Sequence, residues 1–140
     1  WLINRLMKED PEQPDILTVV KEAEASQSFE GTLNVLEGRL MNPESMKEMV
    51  DALIVENGGV APKTFGERYY AIYHSLALCY RDAIRKLETM TGRNFSALCV
   101  FGGGSKNRFL NELTSRVAEL PVHTGPAEAT AIGNILSIEG

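Results

Sequence analysis

Three consecutive glycines, Gly102-Gly103-Gly104, separate a short apolar run, Ala97 to Phe101, from a segment with helical spacing. Inside a strand or helix a glycine costs about 0.5–1 kcal/mol relative to alanine, so three in a row mark a place where side chains are not tolerated. Ser105-Lys106-Asn107 suits a helix start, and Phe109, Leu110, Leu113, Val117 and Leu120 share one helical face. The pattern predicts a strand over 96–101, the glycine loop, a helix over 106–120 and a short strand over 122–124. A Gly125-Pro126 turn and a closing helix from Ala127 complete a βαβα run. Such a run implies parallel strands and a right-handed crossover. Ligands of parallel sheets sit beyond the carboxyl ends of the strands, which is where the glycines lie.

The rest of the chain reads as ordinary globular material. At 140 residues and 44% hydrophobic content it can bury a core and is expected to form one compact domain. A net charge of -5 with no cluster of lysines or arginines argues against nucleic acid as a partner. No run reaches the ~18 apolar residues that span a bilayer, and "WLINRLMKED" is neither a signal nor a transit peptide, so no membrane is expected and a cytoplasmic location is. Opening on Trp1 inside an apolar helical pattern, the chain is expected to be a piece of something longer. Cys79 lies in a helical pattern and Cys99 in a strand pattern, without CxxC spacing, and both read as inert core thiols.

Upstream of the glycines the chain reads as helical. Trp1, Leu2, Ile3, Leu6 and Met7 form a first helix, "EDPEQPD" breaks it, and Ile16 to Ala25 forms a second with Leu17, Val20 and Ala23 on one face. An irregular connector follows, with at most a short extended piece around Leu33–Val35. Asn42 as N-cap, Pro43 at the first helical position and Glu44 in the first turn open a third helix that ends near Asn57-Gly58-Gly59. Thr64 and Glu67 make a capping box for the longest helix. Its core stripe runs through Tyr69, Ile72, Tyr73, Leu76, Tyr80, Ala83, Ile84, Leu87 and Met90 to Gly92.

Four readings of the glycine loop compete. It is a tight strand-to-helix turn, a P-loop, a dinucleotide fingerprint, or a surface over which a base and ribose slide. A P-loop needs G-x-x-x-x-G-K-[ST], and Lys106 after Ser105 lacks that spacing. In a dinucleotide fingerprint Asn107 would stand at the third glycine, and the next strand ends in His123-Thr124 rather than an acidic residue. In the last reading Ser105 and Asn107 offer hydrogen bonds beside a helix N-terminus whose partial positive charge favours an anionic neighbour.

The segment "FGGGSKNRFLNELTSRVAELPVHTGPAEATAIGN", Phe101 to Asn134, resembles the adenosine-binding motif and following helix of the FGGY carbohydrate kinases, members of the actin-like ATPase superfamily. "WLINRL", "RLMNPESM" and "IYHSLALCYRDAIRKLETMTG" resemble further segments of the family's ketose kinases, in the same order. The resemblance implies an α/β fold: an actin-like ATPase (ribonuclease H-like) half-domain of parallel strand-helix units with several packing helices, within a two-domain kinase. Residues 1–140 would form part of the C-terminal domain, helical over about 1–92 and βαβα over about 93–140. By position, the implied nucleotide contacts are Asn4, at a family glutamine, and Gly103, with Gly102, Gly104, Ser105 and Asn107 forming the rest of the loop. ATP with Mg2+ and a sugar are the implied ligands. The catalytic aspartate, the metal ligands and the N-terminal kinase domain are implied to precede the point matching Trp1.

Where the most similar members carry Asn-Pro and two acidic residues before "RF", this chain reads Asn34-Val35-Leu36-Glu37-Gly38-Arg39-Leu40. Glu128, beside Pro126 at a helix start, is explained by helix-start electrostatics, and Ala129, Ala131 and Gly133 by close packing. His74 and His123 lack carboxylates at ligand spacing and read as structural. Ser105 lacks the G-x-S-x-G context of a hydrolase. The rival to a kinase is a stand-alone α/β nucleotide-sensing or interaction module that uses the same loop without catalysis.

Overall fold

The computed structural model describes residues 2–100, 108–124 and 137–138. Among these residues five α-helices and three strands follow in chain order: α1 (Leu2–Glu9), α2 (Ile16–Ala25), α3 (Met46–Glu56), α4 (Phe65–Thr91), β1 (Phe95–Val100), α5 (Arg108–Ala118), β2 (Val122–Thr124) and β3 (Ser137–Ile138). The chain divides into two compact units, Trp1–Ser75 and Leu76–Gly140, and the division falls within α4.

The first unit is helical because its apolar residues recur with helical spacing and its termini are capped. Leu6, Val19, Leu40, Met46, Val50, Ile54, Tyr69 and Ile72 are fully buried and form its core. On α2 the buried face is Val19 and Ala23, whereas Leu17 is 70% exposed, so the expected face through Leu17 is displaced. Asp15 caps α2, its carboxylate accepting from the Thr18 amide at 2.9 Å. The connector forms no strand: Leu33 and Val35 are buried as single anchors, and a 3₁₀ turn over Gly38–Leu40 carries the chain onward. Ser75 holds the connector to α4, accepting from the Leu33 amide at 3.0 Å and donating to the Ala71 carbonyl at 2.6 Å.

Helix α3 starts later than its sequence suggests, with Ser45 as its cap rather than Asn42. A helix opened at Pro43 would direct the Lys47 amide to the Pro43 carbonyl. Both groups are already taken: Lys47 N donates to Glu9 Oε1 at 2.9 Å, and Pro43 O accepts from Arg5 Nη2 at 2.9 Å. At its far end Gly58 adopts a left-handed φ of +92°, and the Gly59 amide reaches back to the Ile54 carbonyl, as the Asn57-Gly58-Gly59 signal predicts.

The capping box of α4 is present in shifted form. Thr64 Oγ1 accepts from Glu67 N at 3.1 Å, while Glu67 Oε1 accepts from Lys63 N at 2.7 Å instead of from the cap residue itself. Arg68, buried, makes a bidentate pair with Asp51 of α3, both contacts at 2.8 Å, and its guanidinium lies 5.0 Å from the Phe65 ring centre. The expected stripe is core through Tyr69, Ile72 and Tyr73, but Tyr80, Leu87 and Met90 are exposed at 43%, 45% and 77%. Periodicity reports that a helix has an apolar face, not that something covers it.

In the second unit β1 is central, in the order β2-β1-β3. β1 and β2 are parallel, pairing Leu98 with Val122, Cys99 with His123 and Val100 with Thr124, and α5 lies between them in sequence. The βαβ expectation is therefore met, with β2 matching its predicted limits. β3 was not expected: it pairs antiparallel to β1, Phe95 with Ile138 and Ala97 with Ser137. The Gly125-Pro126 turn and the helix from Ala127, with Glu128, Ala129, Ala131 and Gly133, lie outside the described residues.

Two further helix ends also carry a left-handed residue but differ in chemistry. Gly92 closes α4 at φ +68°, and Glu119 closes α5 at φ +58° with a side chain attached. An L-residue in this region costs roughly 1–2 kcal/mol. Gly92→Ala should therefore destabilise the protein by about 1 kcal/mol, and Glu119→Gly should stabilise it by up to about 1 kcal/mol. Urea unfolding checks both: the midpoints should move in opposite directions with unchanged slopes.

Candidate nucleotide-binding site

Strand β1 ends at Val100 and α5 begins at Arg108, so residues 101–107 join the carboxyl end of a strand to the start of a helix. The Val100–Thr124 pairing brings the carboxyl ends of β1 and β2 level. Buried Phe109 and Leu113 anchor α5 through the face its spacing predicts. A strand that ends and a helix that begins on either side of a glycine run is the context that a glycine-rich ligand site requires. Gly102, Gly103, Gly104, Ser105 and Asn107 themselves lie outside the described residues. A cleft of about 540 Å³, lined by Arg81, Arg85, Glu88 and Asn94, lies near the amino end of β1, where Glu88 Oε2 accepts from Phe95 N at 3.0 Å. It is at the opposite end of β1 from the loop.

Asn4, the remaining expected contact, belongs to the first unit and is exposed on α1, whose buried side chains are Leu2 and Leu6. The far end of that helix carries two acidic residues, Glu9 and Asp10. Carboxylates there oppose the helix dipole, which favours cations near a C-terminus. Each is compensated from elsewhere in the fold. Glu9 accepts from Met46 N at 2.7 Å, Lys47 N at 2.9 Å and Ser45 Oγ at 3.2 Å, placing its charge at the N-terminus of α3, where the dipole attracts it. Burial alone would raise Glu9, but the Lys47, Met46 and Ser45 hydrogen bonds and nearby Arg5 outweigh it, leaving the carboxyl below its usual range.

Asp10, 4% exposed, accepts from the Tyr69 hydroxyl at 2.9 Å and from Glu12 N at 3.0 Å. Burial, then this hydrogen bond and the Asp10 charge, hold the Tyr69 phenol far above its usual value. Glu22 of α2 lines the same cleft of about 490 Å³ as Asp10, Glu12 and Thr64. Its Oε2 is buried without a hydrogen-bond partner among the described residues. Burial, then the charges of Asp10 and Glu12, push the Glu22 carboxyl up.

Sequence reasoning singled out the glycine loop and Asn4 but not the Glu9 and Asp10 anchors. The available signal was the pair of acids where the macrodipole disfavours them. His74 stacks on Tyr70 with ring centres 5.5 Å apart, and Cys79 is a half-buried free thiol. No helix among the described residues is long and apolar enough to cross a membrane.

Residues 6–137 match the sequence profile of the FGGY family of carbohydrate kinases, C-terminal domain. The chain is 38% identical over 135 residues to a rhamnulokinase of Mannheimia succiniciproducens, covering 96% of this chain and 28% of that protein. It is likewise 38% identical over 136 residues to a rhamnulokinase of Ligilactobacillus salivarius, covering 97% and 28%. A rhamnulokinase of Bacillus subtilis is 33% identical over 136 residues, again with 97% and 28% covered. The chain thus spans little more than a quarter of the length of these relatives.

Two substitutions test the anchor at the end of α1. Tyr69→Phe leaves a buried Asp10 oxygen without its donor and should cost on the order of 1–3 kcal/mol in urea unfolding. Glu22→Gln should act the other way. With its folded pKa raised above the ordinary 4.5, Glu22 lowers stability progressively as pH rises through that value toward the folded one. The melting temperature of Glu22→Gln should exceed the parent's at neutral pH, and the difference should vanish as pH falls below that window.

Proposed function

The chain belongs to the FGGY family of carbohydrate kinases, within the family's C-terminal domain, and from that membership we propose that it is the nucleotide-binding part of an ATP-dependent ketose kinase. The observation that carries the reading is similarity to rhamnulokinases, 33–38% identical across 96–97% of the chain. Family membership implies an actin-like, ribonuclease H-like fold, and the parallel β1–α5–β2 unit is consistent with it. L-rhamnulose is the proposed substrate, phosphorylated at its 1-hydroxyl in the cytoplasm. The remainder of a longer protein supplies the catalytic aspartate and the sugar pocket.

The nucleotide supplies the γ-phosphoryl group, transferred in line to the sugar hydroxyl. This chain's share is positioning. Gly102–Gly104 present backbone without side chains to the base and ribose, Ser105 and Asn107 hydrogen-bond beside the start of α5, and Asn4 adds a contact from α1. Holding the nucleotide in a near-attack position removes orientational freedom that would otherwise be lost in the transition state. The ligands of magnesium are assigned, like the catalytic aspartate, to the remainder of the longer protein.

Gly103→Val in the full-length protein puts a branched side chain where the base or ribose lies. It should raise the Michaelis constant for ATP at least several-fold with the circular dichroism spectrum unchanged. Unaltered ATP dependence would remove the loop from the site.

The substrate is tested by a coupled ADP-release assay on the full-length protein with magnesium, comparing kcat/KM for L-rhamnulose, L-fuculose, xylulose and glycerol. L-rhamnulose should rank first. The altered Val35–Leu40 segment leaves room for L-fuculose or another ketose as the second reading. A ranking led by xylulose or glycerol would overturn the rhamnulose assignment, and inactivity with every sugar would favour a non-catalytic nucleotide-binding module.

A further inference from the structure

We propose that Arg5 and Glu9 are positioning residues for the nucleotide contact made by Asn4, an inference that rests on the assignment of Asn4 above. Helix α1 has only eight residues, and its buried side chains are Leu2 and Leu6. Two leucines four residues apart determine which face of a short helix turns inward but leave its roll about the axis loosely defined. Polar contacts with fixed partners define it better. Arg5, the neighbour of Asn4, donates from Nη2 to Pro43 O at 2.9 Å. One turn later Glu9 accepts from Ser45 Oγ and from the Met46 and Lys47 amides. Arg5 Nη2 also lies 3.8 Å from Glu9 Oε2, so the two side chains join into one clamp on the chain entering α3.

That ion pair is partly exposed and contributes little by itself. The hydrogen bonds to backbone do more, because their partners are the carbonyl and amides that set where α3 begins. Asn4, exposed on the same helix, is therefore presented in a direction referred to α3. An asparagine has one methylene less reach than the family's glutamine and tolerates less change in that direction.

The test uses the full-length protein, with ADP affinity measured by calorimetry beside ATP kinetics. Arg5→Met keeps the apolar stem and removes the donors. It should weaken ADP binding by about three- to ten-fold and raise the Michaelis constant for ATP to match, with kcat and the Michaelis constant for the sugar within about twofold of the parent. Arg5→Lys, which retains a donor for Pro43 O, should recover most of the loss. Asn4→Ala should weaken ADP binding similarly, and adding Arg5→Met to it should change the affinity by less than about twofold, since both act through one contact. Glu9→Gln provides the same reading if Arg5→Met does not fold.

Full multiplication of the two effects in the double variant would overturn the proposal. So would unchanged affinity in both Arg5→Met and Glu9→Gln while Asn4→Ala binds more weakly. Unchanged affinity in Asn4→Ala alone would instead overturn the Asn4 assignment, and the positioning role with it.

Discussion

The Glu9 carboxylate stands at the end of one helix and at the beginning of another, and the helical unit is organised around that shared position. By accepting from the Met46 and Lys47 amides it satisfies donors that a helix N-terminus leaves open. It thereby sets the first residue of α3, while Arg5 takes the carbonyl that an earlier start would need. The next residue, Asp10, continues the same logic into α4, where the Tyr69 hydroxyl meets its buried carboxylate. A bidentate Arg68–Asp51 pair then ties α4 to α3. Three helices are thus linked through polar contacts that each join residues distant in sequence, around the apolar core of Leu6, Met46, Val50 and Tyr69.

Local signals in the sequence were reliable where the partners are neighbours. The Thr64 cap and the Asn57-Gly58-Gly59 stop follow from residues within a few positions of one another, and the β1–α5–β2 unit from the order in which its strand and helix patterns succeed each other. The start of α3 departs from its local signal because the groups that decide it, on Arg5 and Glu9, lie 38 residues from Pro43 and Lys47. Tyr80, Leu87 and Met90 continue the α4 stripe yet stay exposed, and Leu17 turns outward while Val19 turns in. A two-residue strand such as β3 is too short to show alternation, and only its pairing with β1 reveals it.

The candidate site divides along the same line. Gly102–Gly104 announce themselves because backbone without side chains is rare and its purposes are few. Asn4 carries no such mark; it emerges only from resemblance to the family to which the chain belongs. The clamp beside it was legible in principle, since Glu9 and Asp10 stand where a helix dipole disfavours them, but naming their partners required the fold. The proposed function is a matter of presentation: Gly102–Gly104 are assigned the role of bare backbone, and Asn4 on the short α1 that of one amide side chain.

Amide hydrogen exchange of the full-length protein, with and without saturating ADP, tests the central claim most directly, because it reads the backbone that the nucleotide is held to cover. The account predicts slowed exchange in peptides spanning Gly102–Asn107, with a smaller change at the start of α1 around Asn4. Nucleotide binding demonstrated by calorimetry, with no protection anywhere in 101–107, would contradict it.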